Sequence, residues 1–417
     1  IDEYDNFANQ LIVSAHDTLY EKLTGNDGFL KSFFKMLKAG REGGFIENVY
    51  ITGILPMTMD DLASAFNVGT YLSQDPTFEA MVGFTQAEVD WLLDEIWKDH
   101  TITANTRDEI GALLKANYNG YHFVRPGSDP RNIPIYNTTI LMYFLRYYTE
   151  HQEVPPSLMD SNLETDIGWP KRLVEVNAKD AKPFIDDLTT KEIAGYSERS
   201  LAQQFNVSQF FEKRFFPVSF FYLGLLTRKD DLYLTFPNLN MHQIFLEYFN
   251  ELYDIDVSNP YKEPLEAFLR QPDFEAFFAC YWESYIEKLP ETIFAQVNEN
   301  FYRTTFYEVC TQHFPPWFLL NVETSYPKGK SDLEFIGKNE RQFAGMHWII
   351  EFKYYSKTKM REKDVKIQTF EAVADDIVQV QGYGEGLRQK SPDADLSMFL
   401  VYCFANEGFR VFPVDEV

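Results

Sequence analysis

A run of mostly apolar residues, 346–350, leads without a break into Glu351-Phe352-Lys353. A short apolar run of this kind predicts a buried strand. In an extended strand, residues two positions apart project from the same face, and the residue between them projects from the other. The sequence therefore predicts a buried strand that presents Glu351 and Lys353 together on one face.

The segment before this strand predicts a helix followed by a hairpin. The helix covers about residues 293–310 and ends before Pro315-Pro316, and two alternating runs, 318–325 and 331–336, flank a turn. Asp332 lies in the second run. The hairpin and the buried strand would therefore place Asp332 and Glu351 on neighbouring strands.

These residue types suit the hydrolysis of a phosphodiester bond. Asp332 and Glu351 offer hard oxygen ligands to one Mg²⁺ or Mn²⁺ ion, with the main-chain carbonyl of Phe352 as a further ligand. Lys353 would lie beside the metal-bound water and the developing negative charge. The alternative for an isolated Glu-x-Lys is a strand that carries a surface salt bridge.

The arrangement of Asp332, Glu351 and Lys353 resembles the PD-(D/E)xK nuclease superfamily, in which a glycine and a basic residue often precede the aspartate, as in 329–332 here. The resemblance implies a metal-dependent nuclease in which these three residues are catalytic. Glu299 matches the further acidic metal ligand on the first helix.

Two other features bear on this resemblance. Glu308 competes with Glu299 for the acidic position on the first helix. Downstream, a helix predicted over residues 373–387 places Gln379 and Tyr383 four apart, hence on one face. This QxxxY resembles the helicase-associated branch of the superfamily, where these side chains help to position DNA and the active site. Ordinary helix-surface residues are the alternative.

The chain begins with an acidic pair, Asp2 and Glu3, that would end a buried strand. A nucleotide hydrolase needs such a pair, because one carboxylate holds magnesium and the other polarises the attacking water. A second predicted strand, 49–52, ends at Thr52, which would lie beside the pair in a doubly wound sheet. A surface turn and a helix or turn cap are the alternatives.

The order of these and later motifs resembles the AAA-ATPase-like domain of a bacterial family, fused there to a C-terminal PD-(D/E)xK nuclease. The motifs are residues 1–5 as the Walker B segment, 52–53, 83–85, 118–123, 135–137 and 236–238. The phosphate loop GxxxxGK[ST] of that family is missing from these residues. We therefore expect ATP binding only if a longer reading frame supplies the loop, and ATP hydrolysis by this chain alone is not expected.

The same patterns divide the chain into three predicted domains. They are an AAA-ATPase-like domain over 1–150, a helical and winged-helix-like lid over 151–258, and a nuclease-like domain over 263–417. The lid contains a predicted hairpin of residues 223–227 and 232–236. The predicted fold class is therefore α/β and α+β multidomain, with a partial P-loop ATPase-like domain and a restriction-endonuclease-like domain.

A net charge of −25 opposes nucleic-acid binding by the surface as a whole, so any contact must use a local basic patch. One candidate is the segment that begins with the predicted catalytic lysine. Its basic residues are Lys353, Lys357, Lys359, Arg361, Lys363 and Lys366. The alternative is a solvated helix face.

Three dispersed cysteines and the lack of a long apolar run favour a cytoplasmic protein without structural zinc or a membrane partner. The leading hypothesis is a Mg²⁺-dependent nuclease of DNA, or of RNA, regulated by an attached ATPase-like module. The acidic charge favours the second hypothesis, a non-catalytic protein-interaction or assembly protein that self-associates or binds protein partners and carries vestigial nuclease and ATPase folds.

Overall fold

The structure is a computed structural model of the chain. It describes residues 1–6, 10–11, 17–25, 28–53, 70, 72–102, 105–124, 133–159, 173, 178–202, 205–338 and 341–416. Residues 160–170, which follow the first predicted domain boundary, lie outside the described residues.

Helices dominate the described part of the chain before residue 260. In chain order they are α1 (Asp17–Thr24), α2 (Phe29–Glu42), α3 (Gln86–Asp99), α4 (Arg107–Tyr118), α5 (Thr138–His151), α6 (Ala178–Lys191), α7 (Glu198–Ala202), α8 (Val207–Phe210), α9 (Phe216–Tyr222) and α10 (Leu239–Tyr253). Three short strands accompany them: β1 (Ile193–Gly195), β2 (Thr227–Arg228) and β3 (Tyr233–Thr235).

The N-terminal segment pairs with residues near 50, although neither stretch forms a regular strand. The Ile1 amine donates to the carbonyl of Tyr50 over 2.9 Å, and the N–H of Thr52 donates to the carbonyl of Ile1 over 2.9 Å. Ile1 thus bonds to both neighbours of Ile51, donating to Tyr50 and accepting from Thr52, which is the pattern of a parallel pair. The strand predicted over 49–52 is thus wrong as a regular strand. The apolar residues 29, 30, 33, 34 and 37, whose spacing predicts a helix, do lie in α2.

Four of the short motifs from the middle of the chain meet in one place. Two isolated antiparallel bridges join Phe84 with Tyr136 and Tyr121 with Ile135. Asn238 donates through Nδ2 to the carbonyl of Asn119 over 3.0 Å. Gly120 has a φ of 108°, and a Cβ there would lie 1.8 Å from the carbonyl oxygen of Pro237. These motifs therefore pack the helices before residue 151 against α10.

Helix α6 and the elements up to β3 follow the order helix, strand, helices and hairpin, with sheet order β1-β3-β2. This is the order and sheet arrangement of a winged helix. The predicted hairpin exists, but its first strand begins at Thr227, where it was expected to end. Residues 223–226 instead turn away from α9, and Gly224, with a φ of 74°, accommodates the left-handed turn.

The C-terminal part is a five-stranded mixed sheet covered by helices on both faces. The strands are β4 (Phe318–Val322), β7 (Leu333–Gly337), β8 (Met346–Tyr355), β9 (Asp395–Phe404) and β10 (Gly408–Val414), in the order β10-β9-β8-β7-β4. A small hairpin comprises β5 (Ser325–Tyr326) and β6 (Gly329–Lys330). The helices are α11 (Lys262–Arg270), α12 (Phe274–Ser284), α13 (Glu299–His313), α14 (Lys357–Glu362) and α15 (Ala374–Lys390).

Side-chain alternation along β8 separates the two faces of the sheet. Phe352 packs toward α12 and α13, with its ring centroid 6.0 Å from Phe278 and 6.1 Å from Phe306. Ile349 belongs to a second buried cluster that includes Val380 of α15. Glu351 and Lys353 lie two and four residues after Ile349, so they project from the same face of β8 as Ile349, toward α15.

Several predicted boundaries in this part require correction. The apolar period over residues 265–278 indicates a single helix, but the segment forms two, because Pro272 cannot continue α11 and Asp273 caps α12 through its side chain. The helix expected from 293 begins only at Glu299, where Asn298 is the N-cap. The apolar run 398–404 predicts a last strand that completes the sheet; it lies in β9, but β10 pairs along the outer side of β9 and forms the edge instead.

One continuous buried cluster connects the winged-helix-like unit with the C-terminal sheet. Helix α10 packs on α13, where Phe249 and Phe301 meet edge to face at 6.3 Å and Asn250 donates to Glu308 over 2.9 Å. Helices α10 and α13 therefore belong to the same core. Among the described helices, none combines the length and apolar character needed to cross a membrane.

Candidate active site

The end of β8 brings Glu351 and Lys353 together. The antiparallel pairing with β7 reaches only as far as Leu333 opposite Ile350, so the next residues of β8 leave that ladder. Lys353 donates through Nζ to Oε1 of Glu351 over 2.7 Å. The predicted placement of both side chains on one face is confirmed.

Asp332, immediately before β7, caps the freed edge of β8. The backbone N–H of Phe352 donates to Oδ2 of Asp332 over 2.7 Å. The backbone N–H and C=O of one strand residue point to the same side of the strand, so the carbonyl of Phe352 also faces Asp332. Burial raises the pKa of Asp332, and the nearby Arg303 guanidinium opposes that rise. Asp332 thus lies one residue before the strand that neighbours the one carrying Glu351, rather than on that strand as predicted.

Glu351 is the most deeply buried carboxylate of the site, at 3% exposure. Its Oε1 accepts hydrogen bonds from Lys353 and from Gln379, whereas its buried Oε2 has no hydrogen-bond partner among the described residues. Burial and the neighbouring Asp332 raise the pKa of Glu351 to about 8. The carboxylate therefore has one oxygen available for a further positive group.

Helix α15 supplies the second layer of the site. Gln379 donates through Nε2 to Glu351 over 2.8 Å and to the hydroxyl of Tyr383 over 2.5 Å. Tyr383 stacks on Tyr326 of the small hairpin, with ring centroids 5.6 Å apart. The two residues of the QxxxY motif share a face of α15, as predicted, and that face points at Glu351.

The two acidic candidates on α13 lie in different environments. Glu299 stands in the first turn, and burial raises its pKa while Lys353 opposes the rise and Asp332 adds to it. Glu308 lies in the core, where burial raises its pKa to about 8 and Asn250 is its hydrogen-bond partner. The structure therefore places Glu299 at the site and Glu308 away from it.

Sequence reasoning missed two residues of the site. Arg303 is 8% exposed, and its Nη1 lies 3.0 Å from Oε1 of Glu323 and 3.6 Å from Oδ1 of Asp332. The spacing from Glu299 to Arg303, one helical turn, is a signal that could have found the arginine. Glu323 precedes the hairpin and lacks any comparable pattern.

The donor set of the site is small. The described residues contain no group of three His, Cys, Asp or Glu side chains arranged to hold a metal ion. Asp332 and Glu351 with the carbonyl of Phe352 would provide three oxygen donors, which suits a hard divalent cation that keeps its waters. Oε2 of Glu351 has no hydrogen-bond partner among the described residues, and the pKa values of Asp332 and Glu351 are raised. Both observations fit a site in which a bound cation would supply a further positive charge.

Comparison with protein families gives two matches. Residues 297–412 match the PD-(D/E)XK nuclease superfamily, and residues 1–63 match a family described as predicted AAA-ATPase. One chain thus carries an AAA-ATPase-like segment at residues 1–63 and a PD-(D/E)XK nuclease superfamily domain at residues 297–412. Searches of curated proteins and of solved structures gave no match.

The PD-(D/E)XK domain contains every candidate catalytic residue, from Glu299 to Tyr383. The superfamily implies a nuclease-type activity and hence a nucleic-acid substrate.

In the basic segment after β8, some side chains contact other residues of the chain and others are exposed. Lys357 pairs with Glu291 at 2.5 Å, and Lys359 lies 3.9 Å from the ring centroid of Tyr355. The exposed members of the segment are Arg361, Lys363 and Lys366.

The AAA-ATPase-like segment brings its three predicted nucleotide-site residues together. The hydroxyl of Thr52 donates to a carboxylate oxygen of Asp2, and the N–H of Glu3 donates to Oγ1 of Thr52 over 3.2 Å. Asp2 and Glu3 are exposed, and Glu3 has a φ of 45°. Their role in nucleotide binding remains a prediction.

Proposed function

We propose that the PD-(D/E)XK domain hydrolyses phosphodiester bonds of DNA with one divalent cation, Mg²⁺ or Mn²⁺. Asp332 and Glu351 would hold the ion, together with the Phe352 carbonyl, and Glu299 would contribute from the rim. The observation that carries the proposal is the convergence of Lys353 and Gln379 on one oxygen of Glu351, which leaves its buried Oε2 without a partner.

Each side chain of the site has a separate task in this proposal. The bound ion would supply Lewis acidity and activate a water. The N–H of Phe352 orients Asp332, and Gln379, itself hydrogen-bonded to Tyr383, orients Glu351. Lys353 holds its ammonium against Glu351, where it can donate to the attacking water and offset the negative charge that develops on the phosphate.

The DNA would follow a local basic surface beside the site. The exposed residues Arg361, Lys363 and Lys366 follow the catalytic strand directly. The small hairpin contributes Lys328 and Lys330, whose side chains are 52% and 60% exposed. Local clustering is needed because the net charge of −25 repels a polyanion elsewhere on the surface.

The AAA-ATPase-like segment would regulate this activity through the winged-helix-like unit. Support comes from α10, which packs on α6 of that unit through Phe184 and Phe245 and also packs on α13, the helix that carries Glu299 at its first turn. A shift of the unit would therefore move an acidic residue of the nuclease site.

The proposal is tested by cleavage of labelled single- and double-stranded DNA and RNA with Mg²⁺ or Mn²⁺. We expect metal-dependent cleavage of DNA, lost by roughly 10²–10³-fold or more in Lys353→Ala. The exposed Lys98→Ala is the matched control and should retain full activity. Cleavage of RNA alone would change the substrate class.

Calorimetry with the same ions separates the remaining outcomes. Absence of both cleavage and metal binding would reject the nuclease proposal and leave the protein-interaction hypothesis. Metal binding without cleavage of any of the four substrates would reject hydrolysis of these polymers while retaining the metal centre.

A further inference from the structure

Arg303 occupies a buried position at the edge of the nuclease site. It lies on α13, one turn after Glu299, and its Nε is buried without a hydrogen-bond partner in the described part of the chain. Its Nη1 lies between Oε1 of Glu323, at 3.0 Å, and Oδ1 of Asp332, at 3.6 Å. A buried guanidinium is unfavourable unless carboxylates surround it, so these acids hold it in place.

A carboxylate from the winged-helix-like unit approaches the same arginine from another side. Glu192, which follows α6, accepts a hydrogen bond from Nδ2 of Asn300 over 3.2 Å. Burial raises the pKa of Glu192, and the charge of Arg303 opposes that rise. Arg303 therefore faces acids from the sheet, the hairpin region and the adjoining unit.

The formal charges around the site oppose the binding of a second divalent ion. The acids of this region are Glu192, Glu299, Glu323, Asp332 and Glu351. The cations that face them are Arg303, Lys330, Lys353 and, beside Glu192, Lys229. Five acids against four cations leave one net negative charge, so one divalent cation already gives an excess of one positive charge and a second would raise that excess to three. Two-metal phosphodiesterases use that second ion to stabilise the leaving oxygen.

We propose that Arg303 takes the place of a second metal ion, so that this centre binds one divalent cation. In this arrangement Arg303 is a positioning residue. It holds Oδ1 of Asp332 through an ion pair, and its charge offsets those of Glu299 and Glu323. The inference rests on the proposed metal-dependent function, because it concerns the number of ions that the same site accepts.

Substitution of Arg303 should change the number of ions bound. Arg303→Gln removes the charge and leaves Glu299, Glu323 and Asp332 facing one another, which favours a second divalent cation among them. Arg303→Lys retains a positive charge at this position and should retain a single ion. Arg341→Gln is the matched control, since Arg341 is a half-exposed arginine that pairs with Glu153.

The test is a Mn²⁺ titration of the full chain, in which free Mn²⁺ is counted by electron paramagnetic resonance and binding heat by calorimetry. We expect one ion per chain for the unsubstituted protein, Arg303→Lys and Arg341→Gln, and two for Arg303→Gln. Two ions in the unsubstituted protein, or one in folded Arg303→Gln, would overturn the inference. If thermal melting shows that Arg303→Gln does not fold, the count for the unsubstituted protein decides.

The same titration separates this inference from the proposed function. Asp332→Asn should abolish binding of the single ion. If the unsubstituted protein binds two ions and cleaves DNA, only the role of Arg303 is rejected. If it binds none, or if Asp332→Asn binds as many as the unsubstituted protein, the proposed metal centre itself is rejected and the inference with it.

Discussion

The backbone N–H of Phe352 donates to Oδ2 of Asp332 over 2.7 Å, so the main chain of one strand orients the carboxylate of its neighbour. This bond occurs where β8 has left its ladder with β7, and it satisfies an N–H that would otherwise lack a strand partner. It also leaves Oδ1 of Asp332 directed away from β8, toward Arg303. The geometry of the site thus depends on the residue at which the hydrogen-bond ladder between β7 and β8 ends.

We predict that Asp332→Asn abolishes metal-dependent cleavage, by roughly 10²–10³-fold or more, while the fold persists. The amide oxygen of asparagine can still accept from the N–H of Phe352, whereas the negative charge needed for a divalent cation is lost. Cleavage rates and thermal melting measure the two effects. Asp108→Asn, at a 95% exposed side chain, is the control and should cleave normally.

Gln379→Leu should lower the cleavage rate by about 10–100-fold, because a group that orients a metal ligand typically contributes this much. The substitution removes the amide that links Glu351 to Tyr383. Steady-state kinetics over a range of Mg²⁺ concentrations would show whether the loss is in metal affinity or in turnover. Gln389→Leu, at an exposed position of the same helix, should have no effect. Equal rates for both variants would contradict the orienting role.

Glu308 should make the protein less stable as the pH rises. Its pKa is raised by burial from an ordinary value of 4.5 to about 8, so the folded state binds the proton more tightly than the unfolded state does. The stability from this group is complete below pH 4.5 and declines as the pH rises to about 8, by up to ~1.4 kcal/mol per pH unit.

Unfolding of Glu308→Gln between pH 5 and pH 8 tests this linkage. Glutamine keeps the acceptor for Asn250 but cannot ionise, so the variant should become progressively more stable than the unsubstituted protein toward pH 8. The exposed Glu263→Gln should follow the unsubstituted protein at every pH. Parallel pH profiles for Glu308→Gln and the unsubstituted protein would contradict a raised pKa.

Gly120→Ala should destabilise the fold by about 1–3 kcal/mol or more. Gly120 has a φ of 108°, and a new Cβ would lie 1.8 Å from the carbonyl oxygen of Pro237, so the backbone would have to move. Gly195→Ala is the matched control, because a Cβ at Gly195 meets nothing within 4 Å. Thermal or urea unfolding of the two variants should differ clearly, and equal midpoints would argue against the close packing at Gly120.

Much of the nuclease site could be predicted from local patterns. The alternation along β8 placed Glu351 and Lys353 on one face, and four-residue spacing placed Gln379 and Tyr383 on one face of α15. Capping also followed local rules, since Thr85 and Glu88 form the capping box that their spacing indicates. Each of these relationships depends on the period of one element.

Errors arose where neighbouring elements compete for the same residues. The leucine-rich residues 223–226 resemble a strand, yet they form the turn that follows α9, since Leu225 and Leu226 are buried in the core beside it. The apolar period from 265 to 278 continues through Pro272, and that proline divides the segment into α11 and α12. Hydrophobic periodicity alone does not show at which residue a helix or strand ends.

The sequence by itself determined which residues could serve as metal ligands and catalytic groups, because a strand of period two and a helix of period 3.6 fix which side chains share a face. Only the tertiary structure decided between Glu299 and Glu308, which lie on one helix but in different surroundings. It also brought Arg303 and Glu192 to the site. Long-range electrostatic contacts of this kind depend on how whole elements pack, and no spacing within one element encodes them.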